Sequence, residues 1–164
     1  MYCNLPIVLS VSQSTSWWID TGANVHVCDD ISIFSSYQVA RDCFILMGNG
    51  SHASIRAVGT VGLKFTSGKI VQLKNVQHVP SINKNLVSGS LLCRDGFKVV
   101  LESNKVVTSK HGHFIGKGYE CGGLFRFSIS DYCNKSMNHL CGSMYDNASV
   151  WYSLLCHINF GSMS

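Results

Sequence analysis

Between residues 17 and 127 the apolar residues come in short runs, broken every few positions by Gly, Asn or Ser. The stretch Val58-Gly59-Thr60-Val61-Gly62-Leu63-Lys64-Phe65 alternates in character. A Ser67-Gly68 turn follows, and then Lys69-Ile70-Val71-Gln72-Leu73. That pattern predicts a β-hairpin. Residues 97–101 and 105–108 flank Ser103-Asn104 and predict a second hairpin. Residues 113–115 and 124–127 read as two more strands. Only residues 85–93 have a helical look, short, with Leu86, Leu91 and Leu92 as the larger apolar side chains. Many short strands joined by Gly-rich turns predict a mostly β fold, a small closed β-barrel with one short helix. Residues 1–16 end in a Ser/Gln/Thr-rich stretch and read as a linker into the first strand. Residues 17–128 form the barrel. Residues 129–164, rich in Asn, Ser, Met and Cys with weak periodicity, read as a linker and the start of another module, partly helical or disordered.

Composition narrows this picture. Hydrophobic residues make up 46% of the 164-residue chain, ample for a core, whereas charged residues make up only 13%, against about 25% in an ordinary soluble domain. A surface so poor in charge suits an oligomer or a piece of a polyprotein. The net charge is +4, with the basic residues scattered. No basic run argues for a nucleic-acid partner. No apolar run is long enough to span a membrane. The eight cysteines form no Cys-x-x-Cys pair, and residues 1–10 lack a basic start and a long apolar core. Reduced, mostly buried thiols in an intracellular, cytoplasmic protein are therefore expected.

The candidate chemistry begins at Asp20-Thr21-Gly22-Ala23, directly after Trp17-Trp18-Ile19. A buried strand would deliver Asp20 onto a tight turn, held by the Thr21 hydroxyl and permitted by Gly22. Two carboxylates at close range share one proton, and the pair can activate a water for peptide hydrolysis. No other aspartate is followed by Thr-Gly or Ser-Gly, so the second carboxylate would be the Asp20 of a second copy. The same tripeptide is also a common plain turn. Gly48-Asn49-Gly50, with Ile55 beyond it, would form a flap over substrate; its plain reading is a hairpin with a Gly-rich turn. The segment Asn85-Leu86-Val87-Ser88-Gly89 would support the Asp20 loop from below.

These pieces, in this order, resemble the protease region of copia-type LTR retrotransposon polyproteins. The resemblance is carried by Trp17, Asp20-Thr21-Gly22-Ala23 and His26; by Asn49-Gly50, Ile55 and Gly59-Thr60-Val61; by Leu73, Val76 and Val79-Pro80; and by Asn85-Leu86-Val87-Ser88, Leu92-Cys93 and Gly96-Phe97. It implies a homodimeric aspartic endopeptidase of the retroviral type, with a closed β-barrel subunit, acting on its own polyprotein. It also implies that an intact element would carry the enzyme in a virus-like particle. The tail resembles the segment before integrase, where two histidines begin a His/His/Cys/Cys zinc site. Here Trp151, His157 and Ile158 match, but Tyr152 replaces the first His. One imidazole cannot hold a structural zinc, so neither metal nor cofactor is expected. The tail reads as degenerate and truncated.

Two other classes compete with the endopeptidase. One is a catalytically silent β-barrel serving as a polyprotein spacer or protein-binding module. The other is a Cys/His metal module, for which His111 and His113, at alternate positions of one strand, are the best candidate pair.

Overall fold

The computed structural model describes residues 16–132. Residues 1–15 of the expected linker (1–16) and residues 133–164 of the expected linker and pre-integrase segment (129–164) lie outside the described residues. The class is mostly β, with one short helix.

The first strand, β1 (Trp17–Asp20), sends Trp17 and Ile19 into the core and leaves Trp18 and Asp20 half-buried on the other side. A two-residue strand, β2 (Val27–Cys28), follows. Then come the long arms of a hairpin, β3 (Phe34–Leu46) and β4 (His52–Phe65), and the return strand β5 (Ile70–His78). The Ser67-Gly68 turn stands where expected, with Gly68 N–H donating to the Phe65 carbonyl at 2.8 Å. The second expected hairpin is β7 (Phe97–Glu102) with β8 (Lys105–Lys110). It continues as a meander through β9 (His113–Cys121) and β10 (Leu124–Phe127).

Residues 85–93 are not one helix. Asn85–Ser88 is a strand, β6, lying parallel to β1. The helix α1 covers only Gly89–Arg94. The apolar Leu86, Leu91 and Leu92 suggested one helical run, but Asn85, Val87 and Ser88 are all buried between β1 and β2. That tertiary pairing outweighs local preference. The helix begins where the Ser88 Oγ accepts the Leu91 N–H at 3.2 Å, a serine N-cap.

The expectation of a closed barrel also needs correction. The strands form one open path, β11-β4-β5-β2-β6-β1-β10-β9-β8-β7, with β3 attached to β4. The last strand, β11 (Ile129–Tyr132), pairs with β4. The two sides meet through side chains and isolated bonds instead of a ladder. The Phe65 ring packs edge-on against Phe127, with centroids 5.3 Å apart. It lies so close over Gly116 that a Cβ there would fall 2.0 Å from the ring. Ser128 donates its N–H to the Lys117 carbonyl at 2.9 Å and accepts from Thr66 N–H at 3.0 Å. The Ser67 hydroxyl donates to the Ile115 carbonyl. β9 carries a register shift beside Ile115 in its ladder with β8.

The main core lies inside this curl, built from Trp17, Ile19, Phe34, Leu63, Phe65, Leu73, Val87, Leu92, Val106 and Phe127 among others. A smaller cluster around Val27, Ile55 and Val79 sits beneath the β3–β4 hairpin. Among the described residues no helix is long and apolar enough to cross a membrane. Thiols are expected to be mostly buried; among the described residues Cys28 is buried, Cys43 is half-buried, and Cys93 and Cys121 are exposed. The last two stand on the outer side of α1 and at the end of β9, where no core is available to cover them.

Candidate active site

Asp20 is the last residue of β1. Parallel pairing with β6 sets it directly opposite Ser88. Its Oδ1 accepts the Gly22 N–H at 2.8 Å. This Asx-type turn uses the carboxylate itself to close the loop and so fixes its direction. Gly22 is not in the left-handed backbone region. Its lack of a side chain matters for a different reason: a Cβ would lie 3.3 Å from Asp20 Oδ1. Glycine here gives the carboxylate room rather than giving the backbone freedom. Thr21 and Gly22 are exposed, while Asp20 and Ala23 are half-buried.

The loop rests on the start of α1. A Cβ added to Gly89 would be 3.5 Å from the Thr21 methyl and 3.8 Å from the Asp20 carbonyl, at ordinary contact distance. Ser88 ties the two segments together. Its hydroxyl donates to the Ala23 carbonyl at 2.6 Å and accepts the Leu91 N–H. The Ser90 hydroxyl lies 3.0 Å from the Ser88 oxygen and reinforces the same corner. The Ser88 N–H donates to His26 Nδ1 at 3.0 Å. His26 is buried, and burial lowers its pKa to about 4 against the opposing pull of Asp95. It is therefore a neutral ring with Nδ1 bare and the proton on Nε2, as an acceptor of a backbone N–H must be.

The same logic continues one layer out. Asn85, fully buried, accepts the Asp29 N–H at 3.0 Å. His78 Nδ1 lies 2.8 Å from the Tyr37 hydroxyl and its Nε2 lies 3.3 Å from the Asp29 carbonyl. The carbonyl can only accept, so the ring proton is on Nε2 and the tyrosine donates. Burial lowers the pKa of His78. Burial also pushes the Cys28 thiol up to about 12, which makes it inert as a nucleophile.

The Gly48-Asn49-Gly50 segment forms the tip of the β3–β4 hairpin, and all three residues are exposed. Gly50 N–H donates to the Met47 carbonyl at 2.8 Å, and Gly50 takes a φ of 80°. This is a three-residue loop whose last position is left-handed, which favours glycine. The Asn49 side-chain oxygen accepts from the Ser51 N–H and hydroxyl at 3.0 and 2.7 Å. Ile55 is elsewhere. It is 3% exposed and packs in the small cluster with Val27 and Val79, against which Val25, Ile45 and Met47 also rest. Ile55 therefore seats the hairpin on the strand that follows the Asp20 loop.

The structure thus brings Asp20, Thr21, Gly22 and Ala23 together with Ser88, Gly89 and His26. Sequence reading marks His26 only as a matching position of the resemblance, and Ser88 as one residue of the segment expected to support the Asp20 loop. The signal was present: Ser88 stands three residues before Leu91, at an N-cap spacing, and Asn85 is a polar residue bounding an apolar pair. His111 and His113 do not share a strand face. His111-Gly112 is the turn between β8 and β9, with φ values of 50° and 78°, and His113 opens β9. Among the described residues no group of three His, Cys, Asp or Glu is placed to hold a metal ion.

Comparison with known proteins adds to this geometry. Residues 17–97 match the model of the Pol polyprotein β-barrel domain family. The chain is 30% identical over 147 residues to the retrovirus-related Pol polyprotein from transposon TNT 1-94 of Nicotiana tabacum, covering 88% of this chain and 11% of that protein. It is 35% identical over 86 residues to a putative transposon Ty5-1 protein of Saccharomyces cerevisiae, covering 52% of this chain and 56% of that one. Against the retrovirus-related Pol polyprotein from transposon RE1 of Arabidopsis thaliana it is 32% identical over 84 residues, which is 6% of that protein. The chain thus spans little more than half of the yeast relative and about a tenth or less of the plant polyproteins. No solved structure matches it.

Proposed function

The chain carries the β-barrel domain of a retrotransposon Pol polyprotein, and on that premise we propose that it is an aspartic endopeptidase that cuts its own polyprotein as a homodimer. The observation that carries this reading is the carboxylate of Asp20, aimed by the Gly22 N–H on a loop anchored from beneath by Ser88. The exposed crest of that loop, Thr21 and Gly22, leaves the carboxylate approachable by the Asp20 of a second copy.

In the proposed pair one carboxylate is ionised and the other protonated, because two such groups in contact cannot both carry charge. The ionised member takes a proton from a water molecule. The water oxygen attacks the scissile carbonyl carbon, and the protonated member donates a hydrogen bond to the carbonyl oxygen. Collapse of the tetrahedral species breaks the C–N bond, and a proton passes to the leaving amine. Water is consumed and the carboxylates return to their starting state. The β3–β4 hairpin would close over the substrate and exclude bulk water.

The test is cleavage of a peptide library by wild type and Asp20→Asn side by side. The substitution is isosteric, so the fold should persist while cleavage falls at least about 10³-fold, to background. Wild-type activity per molecule should rise steeply with protein concentration. Equal cleavage by the two proteins would overturn the reading. A folded wild type that cleaves nothing at neutral or mildly acidic pH would leave a catalytically silent barrel.

A further inference from the structure

The basic residues are scattered along the sequence, but register gathers several of them on one face of the sheet. Directly paired residues in antiparallel strands point the same way. Across the β7–β10 meander and β1 the solvent face therefore reads as three rows. The first is Lys98, Ser109 and Phe114; the second is Val100, Val107 and Lys117; the third is Glu102, Lys105, Tyr119, Arg126 and Trp18. The β9 register shift beside Ile115 turns Phe114 onto this face. The opposite face of the same strands carries Val99, Val106, Thr108 and Phe127 into the core.

Four cations, Lys98, Lys105, Lys117 and Arg126, stand on these rows against one carboxylate, Glu102, and all five are exposed. Phe114 and Tyr119 are 47% and 42% exposed. Lys117 Nζ lies 5.6 Å from the Tyr119 ring centroid, and Lys84, from the loop before β6, lies 5.7 Å from that of Trp18. Neighbouring strands are about 5 Å apart and successive rows about 7 Å. Lys105, Lys117 and Arg126 are thus about a Debye length from one another and act jointly on a polyanion, and Lys98 extends their row pattern roughly 12 Å beyond Lys117.

We propose that this face binds single-stranded nucleic acid, with Tyr119 and Phe114 as stacking platforms and Lys98, Lys105, Lys117 and Arg126 as phosphate contacts. A second copy of the chain is a poor occupant, because interface cores are depleted of lysine. Exposed aromatic rings between cations suit unstacked bases, which duplex nucleic acid does not offer. The argument for this surface uses no part of the proteolytic reading and stands whether or not Asp20 is catalytic.

The experiment is fluorescence anisotropy of a labelled 20-nucleotide oligo(U) with the whole chain. Wild type should bind with a Kd on the order of 10 µM at about 50 mM salt. With about four phosphates contacted, it should weaken about 50-fold at about 200 mM. Tyr119→Ala should lose about 10-fold. The triple reversal Lys105→Glu, Lys117→Glu, Arg126→Glu should lose at least about 30-fold. The double reversal Lys69→Glu, Lys74→Glu, on β5 and the turn before it, should lose less than about 3-fold, and circular dichroism should show each variant folded. Equal losses in the triple and double reversals would reduce the effect to net charge and overturn the proposal. So would full retention by Tyr119→Ala together with displacement by poly-glutamate as effective as by unlabelled oligo(U), which would mark an acidic-peptide surface instead.

Discussion

The cradle of the Asp20 loop and the tip of the β3–β4 hairpin are both built on tight turns with short polar side chains, yet they are held in opposite ways. The cradle is tied by bonds between residues far apart in sequence: Ser88 to Ala23, Ser88 to His26, Asn85 to Asp29. The tip is tied by bonds between near neighbours, Met47 to Gly50 and Asn49 to Ser51. Each cradle bond has at least one buried partner, Ser88, His26 or Asn85, so breaking it strands a polar group away from water. At the tip water can replace whatever is broken. The cradle should therefore open only with the whole fold, and the tip should open alone. That division suits a site in which the carboxylate is fixed and its cover moves.

The largest expected effect lies in the cradle and is set by pH. The folded pKa of His26 is about 4, against an ordinary value of 6.5. As pH falls below 6.5 the unfolded chain binds a proton that the folded chain refuses until about pH 4. Stability is therefore complete above pH 6.5 and drains away across the window down to about 4, by about 3 kcal/mol from this group. His78, whose folded pKa is also lowered, acts in the same direction. Urea midpoints at about pH 7.5 and about pH 4.5 read this directly. His26→Asn keeps an acceptor for the Ser88 N–H without a titrating ring, and should flatten the slope. A slope unchanged in that variant would mean that the cradle does not depend on a neutral His26. Cleavage assays on the acid side need the same check, since loss of the fold there would imitate loss of a catalytic proton.

A smaller effect is expected from Ser88→Ala. It removes at once the helix N-cap and the 2.6 Å bond to the Ala23 carbonyl, which keeps only the 3.5 Å contact of the Ser90 hydroxyl. We expect about 2 kcal/mol of lost stability, with cleavage reduced further because the Asp20 loop loses its tie. Ser88→Thr keeps the hydroxyl and should recover most of the cleavage. Equal damage from Ala and Thr would show that the corner is governed by size rather than by its hydrogen bonds.

The same contrast explains what could be read from the sequence. Hairpin turns are local events, so Ser67-Gly68, Ser103-Asn104 and Gly48-Asn49-Gly50 announce themselves in adjacent residues. Asp20-Thr21-Gly22 does so too, because its Asx turn closes within three residues. The cradle is non-local. The segment is expected under the Asp20 loop, but nothing beside Asn85 or Ser88 says that they will pair as a strand between β1 and β2, and so a strand followed by one helical turn reads as a single helix. Closure of the barrel is non-local as well: it depends on where Phe65 meets Gly116 and Phe127, not on any one strand's pattern. The basic face is the extreme case. Lys98, Lys105, Lys117 and Arg126 have no common spacing in sequence and acquire one only through register.

The smallest expected effect belongs to the tip and is the sharpest test of the comparison. Gly50 has a φ of 80° and open space where a Cβ would go, so Gly50→Ala meets backbone strain and no clash. The cost should be about 1 kcal/mol. Native-state hydrogen exchange can separate local from global loss. In the wild type the Ser88 and Leu91 amides should exchange near the global limit, and those of Gly50 and Ser51 far faster. In Gly50→Ala the strain is released by local opening and by global unfolding alike, so the tip amides should stay far faster than those of Ser88 and Leu91, neither set should speed up by more than about 5-fold, and the melting temperature should fall by no more than about 4 °C. Any change in cleavage should then appear in how the cover closes on substrate. If instead the Gly50 and Ser51 amides are protected to the same limit as Ser88, tip and cradle form one cooperative unit, and the β3–β4 hairpin cannot be a cover that opens by itself.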